Sequence, residues 1–456
     1  MELRPRTRVL TIAAAGLIMS GWALHRAEIR LTAHAPIVNV WYGREQTFGE
    51  LGNPQQWINI LGNVSGHSIT SLTYSLNGGL PLAVAIGPSM SPQGTTPCSR
   101  SAPTKSQNEE KQLPLDWRYR LRRIRNDCRS DSLGRCVGRH ATIWLHWISH
   151  NLKSSSYYPR RLYKRGDFNI ELDKDLLREG SNTLTLAATD GFGRTTITLV
   201  KINYRTGLAW PLPYTVDWSR ISDISRAIQI VDGIWTKTVD GLRTVEIGYD
   251  RVFAIGNLNW TNYEITVPIK LNAIDYAGGN NPVSGGAGLG LITHWLGHSF
   301  NPVNACECSQ PRCGWSPSGA TAWYLVWNYD GTPPGFLISG LSHPPVFVRH
   351  LLELHTWYIW KIRTESLERR HGYQYWMKFW RQGEQEPAQW DIQATDASDN
   401  TTSGSILLDA HHVDASFGNI SIIPGPFQQP APVHRKAQES LKHPAGKVSP
   451  VGAQEP

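Results

Sequence analysis

Glu171, Asp173 and Asp175 alternate along Glu171-Leu172-Asp173-Lys174-Asp175-Leu176, and alternate residues of a strand share a face. Glycosidic cleavage asks for carboxylates placed together, one to protonate the leaving oxygen and one to act as nucleophile or to activate water, about 5 to 9.5 Å apart. Further along, Glu264, Asp275, Asp330, Glu353, Asp391, Asp396 and Asp409 are scattered without such spacing. His411, His412 and Asp414 are metal-ligand types, but Ala410-His411-His412-Val413-Asp414-Ala415 reads more simply as a polar turn between two strands. His294 and His298 stand four apart in a segment that alternates like a strand and then reaches Gly297, which is not helical zinc spacing. The cysteines fall in two groups, Cys98, Cys128 and Cys136, and Cys306, Cys308 and Cys313. The second group suits zinc with a fourth ligand or, in an oxidising compartment, a local disulfide with one thiol left over. No catalytic residue and no metal site is assigned on these patterns.

Sugar binding has more material. Trp295, Trp323, Trp327, Trp357, Trp360, Trp376, Trp380 and Trp390 are rings of the kind that stack on the apolar face of a pyranose, although most of them must fill a core. Along Gln374 to Trp380, Trp376 and Trp380 share one strand face with Gln374 and Lys378, while Tyr375, Met377 and Phe379 share the other. The second set is expected inside, which leaves Trp376 and Trp380 as the candidate ligand contacts.

The elements that position these residues are strands. Charged residues make up 18% of 456 residues while tryptophan reaches 19, and with abundant Thr, Ser, Gly and Asn this composition favours strands and tight turns over long helices. The length calls for more than one core. Net charge is +8, but 16 Lys and Arg against 5 Asp and Glu lie between Ser99 and Arg165, so the remainder is slightly acidic. That confines the basicity to one segment, about residues 89–159, and argues against a nucleic-acid partner. The segment reads as a disordered solvated insertion, with an arginine-rich polyanion contact or translated non-coding sequence as alternatives. Without it, residues 37–87 and 160–205 join into a unit of about 100 residues, the size of an immunoglobulin-type sandwich. Gly180, Asn182, Leu184, Ala187, Asp190 and Gly193 form a closing hairpin that resembles those of bacterial immunoglobulin-like and cadherin-like repeats. Such repeats act as spacers or adhesive modules and often hold calcium; no Asp-x-Asp cluster supports the ion here, so no cofactor is assigned and calcium is left open.

After a Pro-containing linker at 206–217, twelve strand-like segments and no convincing helix fill residues 218–424. Trp357-Tyr358-Ile359-Trp360-Lys361-Ile362, Gly372 to Trp380, Gly383, Trp390, Ser403-Gly404-Ser405-Ile406 and Phe417-Gly418-Asn419-Ile420-Ser421 resemble the concanavalin A-like lectin and glucanase superfamily in its laminin-G-like branch. The resemblance implies a jelly-roll sandwich and one of three roles: sugar binding, protein adhesion or polysaccharide cleavage. Cleaving members carry Glu-x-Asp-x-x-Glu on one strand face; the run at Glu171 lacks the last glutamate, lies in the other domain and reads as a solvated strand end.

Arg4, Arg6 and Arg8, an apolar run from Val9 to Leu24, then His25 and Arg26 have the layout of an export signal or an uncleaved anchor. The expected organisation is a signal or anchor over 1–36, an immunoglobulin-like sandwich over 37–205, a linker, a concanavalin-type jelly roll over 218–424, and a disordered tail over 425–456. An extracellular or surface protein that binds carbohydrate or a cell-surface glycoprotein, tethered to the membrane through its first segment, is the function these features favour. A polysaccharide-active hydrolase or lyase with an atypical carboxylate pair is the alternative. Asn63, Asn259, Asn400 and Asn419 begin Asn-x-Ser/Thr triplets, which carry glycans only in a eukaryotic secretory route.

Overall fold

A computed structural model of the chain describes residues 34–87, 129–130, 136–137, 161–279, 286–299, 311–312, 315, 318–327, 331–367, 372–397 and 401–427. The export-type segment, the basic insertion apart from the strand pair Arg129–Ser130 and Cys136–Val137, the Cys306 to Cys313 cluster, Asn400 and the tail lie outside the described residues. No helix among the described residues is long and apolar enough to cross a membrane. The all-β class read from the sequence is observed, as two successive two-sheet sandwiches.

In the first sandwich, Ile37–Val40, Trp57–Ser65 and Asp167–Asp173 form a three-stranded sheet. Glu45–Phe48, Thr195–Tyr204, Gly180–Asp190, Ile69–Leu76 and Leu82–Ala83 form a five-stranded one in that order. Gly180–Asp190 shows why: Asn182, Leu184, Leu186, Ala188 and Asp190 are buried and the residues between them are not, the period-two pattern of a strand with one wet face. Asp190 then closes the turn, accepting from the backbone N–H of Phe192 (2.9 Å) and Arg194 (3.0 Å), with Gly193 at φ +78° where a side chain would be strained. Ile60, Phe168, Ile170, Leu184, Leu186, Val200 and Ile202 meet between the sheets.

The second sandwich has a nine-stranded and a seven-stranded sheet. The larger runs Trp235–Thr238, Gly241–Thr244, Val413–Phe417, Tyr263–Ile274, Trp357–Ser366, Tyr373–Arg381, Ile392–Asp396. Tyr214–Val216 and Ile420–Pro424 complete it as an antiparallel pair in which Tyr214 faces Ile422 and Val216 faces Ile420. The first strand thus falls inside the stretch expected to be linker. The other sheet runs Gln229–Asp232, Arg251–Ile255, Ser405–His411, Ala287–Trp295, Thr321–Trp327, Gly335–Ser339, Val346–Arg349. Alternate residues of both sheets, among them Ile265, Val267, Trp360, Ile362, Leu289, Leu291, Ile406 and Leu408, fill one core. Tyr375, Met377 and Phe379 are in it, on the side the alternation predicted. Among the described residues a short 3-10 turn, Ile224–Arg226, and a short α-helix, Tyr276–Gly279, interrupt the strands.

The two sandwiches are packed together. Trp57–Ser65 is buried along nearly its whole length, because Ile58 and Ile60 face their own core while Leu61 joins the core of the second sandwich. A strand covered on both faces loses its alternation. The Tyr42 hydroxyl donates to Gly233 O (2.9 Å) and accepts from Trp235 N (2.9 Å), and burial pushes its pKa up.

Candidate functional site

Residues of the seven-stranded sheet that point away from the core form the outer face. On Ser405–His411 these are Leu407, Asp409 and His411, since Ile406, Leu408 and Ala410 are in the core. The neighbouring strand Ala287–Trp295 sets Gly288 opposite His411 and Gly290 opposite Asp409. Both glycines are needed for what lies on them: a Cβ on Gly288 would come within 2.2 Å of Trp323 Nε1, and one on Gly290 within 2.9 Å of Trp323 Cε3. Trp323, half-buried and carried by the next strand, therefore lies flat across two glycines, with its ring centroid 6.4 Å from that of His411. A glycine inside a strand often marks such a close approach.

Beside this indole is a buried polar cluster. His411 Nδ1 donates to Asp250 Oδ1 at 2.5 Å, which fixes the imidazole tautomer. The rings of Tyr249 and His411 meet edge-to-face with centroids 4.7 Å apart. Asp250 and Asp409 are each 3% exposed, and Asp250 Oδ2 and Asp409 Oδ1 are buried without a hydrogen-bond partner. Burial, and then the negative charges of Asp250 and Asp232, push the Asp409 carboxyl well above the usual carboxylate range, against the pull of Arg251.

The first sandwich walls one side of the cluster. Arg161 Nη1 meets Glu171 Oε1 at 2.6 Å and its Nε meets Asp232 Oδ2 at 2.8 Å; Arg312 Nη1 meets Glu171 Oε2 at 3.0 Å; Arg251 Nη1 meets Asp232 Oδ1 at 3.3 Å. All five side chains are buried. Glu171 is therefore not the solvated strand end expected of it. It is the centre of an ionic joint, because the face it occupies is covered by the second sandwich. Arg251 also stands over the ring of Tyr163, 5.4 Å from its centroid, so Tyr163 borders the same region.

Trp376 and Trp380 do point away from the core, as their alternation predicted, but on the other sheet, and they are only 6% and 8% exposed. The hairpin after Arg381 folds over them: Glu386 Oε1 binds both Lys361 and Lys378 Nζ at 2.7 Å, and Lys378 Nζ donates to Pro387 O at 2.8 Å. Trp390, 6.4 Å from Trp376 between ring centroids, lies there as well. Stacking a sugar on either ring requires lifting this hairpin. His411, His412 and Asp414 do not converge: His411 bonds Asp250, His412 Nδ1 lies 3.3 Å from Asp275 Oδ2, and Asp414 is clasped by Arg243. Among the described residues no three His, Cys, Asp or Glu side chains are grouped to hold a metal ion. Of the scattered acids, Asp330 lies outside the described residues, Glu264 pairs with Arg363 and Glu353 with Arg381, and Asp409 lies in the cluster beside Trp323. A surface cavity of about 330 Å³ beside Asn257, Asn259 and Asn262 holds two tryptophans, Trp210 and Trp260, that are 4% and 6% exposed and present no open ring face.

Tyr249 and Asp250 escaped the sequence reading because they sit in the approach to a strand, 161 residues from His411 in the case of Asp250. The Gly288-Leu289-Gly290 pattern was the signal that could have found the site.

No protein-family model matches the chain, and no curated protein matches it. Solved structures that align with it include the calcium-bound exoplasmic/lumenal domain of VIP36, at 10% identity over 47% of this chain and 91% of that one, with a TM-score of 0.31. A Trypanosoma rangeli sialidase in complex with sialic acid aligns at 8% identity over 54% and 41%, TM-score 0.27. A structure from work on carbohydrate-binding modules of the β-sandwich superfamily aligns at 9% identity over 86% and 97%, TM-score 0.16. At these scores the functional argument rests on the site itself.

Proposed function

We propose that the chain is an extracytoplasmic glycan-binding or adhesion protein. In this reading the outer face of the seven-stranded sheet takes the ligand, the first sandwich is an immunoglobulin-like module that walls it, and the export-type segment provides the route out and the membrane tether. The observation that carries the reading is Trp323 laid across Gly288 and Gly290 beside Asp409, His411 and Tyr249. A half-buried indole matches the apolar face of a pyranose. Trp376 and Trp380 serve here as packing beneath the 382–391 hairpin.

A glycan array probed with the full chain tests this directly. Trp323→Ala is expected to weaken binding about tenfold or more, which corresponds to about 1.4 kcal/mol, while Trp376→Ala leaves affinity within a fewfold. Binding that survives Trp323→Ala unchanged, or no glycan bound at all, overturns the reading.

A further inference from the structure

Lys361 and Lys378 lie directly opposite each other on neighbouring strands of the nine-stranded sheet, with their side chains only 17% and 8% exposed. Like charges in that position destabilise a strand pair. A single atom reconciles them. Glu386 Oε1 sits 2.7 Å from both ammonium groups; against the desolvation that raises its pKa, the two lysines hold the Glu386 carboxyl below its ordinary range, so it is an anion at neutral pH. Glu386 comes from the 382–391 hairpin, most of whose residues are exposed, and not from the sheet it neutralises.

Trp376 and Trp380 stand two residues to either side of Lys378 along the strand Tyr373–Arg381, about 13 Å apart at the rise of a strand. Trp376 is buried and its Nε1 has no hydrogen-bond partner, which costs free energy for a donor kept from water. Arg363, opposite Trp376, and Lys361 share Glu264. The sheet beneath the hairpin thus has cations at its centre, an indole on each side and an unpaired donor, with a carboxylate of the chain's own seated on the cations. Local rules broken together in one place are the mark of a functional surface.

We propose that this face is a binding site for a uronic-acid-bearing glycan, closed in the free protein by the 382–391 hairpin with Glu386 in the place of the sugar carboxylate. As the hairpin lifts, the uronate carboxylate takes over Lys361 and Lys378, neighbouring pyranose faces rest on Trp376 and Trp380, and Trp376 Nε1 donates to a sugar oxygen. The buried lysines exchange one carboxylate for another, and Glu386, already 42% exposed, passes into water. No charge is stranded in the exchange. Because the open form is the minor one in wild type, the apparent affinity is reduced by its fraction. The site lies on the other sheet from Trp323 and does not depend on what binds there.

The experiment titrates the full chain calorimetrically with polygalacturonate as the polyuronate, dextran sulfate as a sulfated polymer without carboxylates, and mannan as a neutral one. Glu386→Gln keeps the shape of the hairpin and removes the seated charge. It is expected to raise affinity for polygalacturonate about tenfold or more and to leave affinity for mannan within about twofold, since only the closed form is destabilised. Lys361→Gln added to Glu386→Gln is expected to cancel the gain, and a melting temperature close to that of the single variant confirms the fold. Trp380→Ala on the same background removes a stacking face without touching a charge and is expected to lower affinity about fivefold or more. Trp323→Ala leaves polygalacturonate binding unchanged, which separates this site from the one proposed above. No gain for polygalacturonate in Glu386→Gln, or a gain that survives Lys361→Gln, overturns the proposal. An equal gain for mannan overturns the anion seat, and a gain for dextran sulfate alone overturns the uronate in favour of a sulfated sugar.

Discussion

His294 shows at the scale of one residue how burial sets a pH limit on this fold. Its ring is enclosed by Tyr263, Tyr373 and Tyr375, and its Nε2 lies 2.7 Å from the Thr261 carbonyl oxygen. Burial lowers its pKa to about 4 from 6.5, against the pull of that carbonyl. Between those values the unfolded chain takes up a proton that the folded one refuses. Its contribution is therefore fully present above pH 6.5 and is lost as the pH falls to about 4, a change of about 3 kcal/mol. Chemical denaturation across that range is expected to show the slope, and His294→Asn, which suits the φ of +47° at this position, is expected to flatten it. Little of this was legible in the sequence, where His294 stood only as a doubtful partner of His298. The Asp250–His411 pair was equally hidden, since nothing local marks two residues that a sheet will bring together.

Strands were easier to foresee than what covers them. Alternation along Gln374 to Trp380 sorts side chains into two faces correctly, but it is silent on whether a face meets water, and the hairpin that buries Trp376 and Trp380 is held by Glu386 between two lysines. Gln229–Asp232 and Trp235–Thr238 are four residues each, too few to show a period in the sequence. Glycines are the more useful local signal here. Gly288→Ala would press a methyl group against the far edge of the Trp323 ring, which can swing away at small cost, so stability should stay within about 1 kcal/mol of wild type. Glycan affinity should nevertheless fall about as far as in Trp323→Ala. Calorimetric titration beside thermal melting checks both, and unchanged affinity would show that the ring's position on the sheet is immaterial.

For the whole molecule, the decisive contact is the ionic joint between the sandwiches. Arg161→Met leaves Glu171 and Asp232 without that guanidinium in a dry interface, which typically costs about 3–5 kcal/mol. Urea unfolding is expected to register the loss, together with faster proteolysis between residues 205 and 214; an unaltered midpoint would mean that the joint is dispensable. That two sandwiches follow one another was legible from strand spacing and from the composition break at the basic segment. That they are fused through buried charge was not, because the Glu171 run reads as a solvated strand end until its partners arrive from distant parts of the chain. The pairing of Tyr214–Val216 with Ile420–Pro424 has a mechanical consequence. Because Tyr214 lies opposite Ile422 in antiparallel register, tension applied between residues 213 and 425 opens that pair from one end, one hydrogen bond at a time, in the manner of a zip.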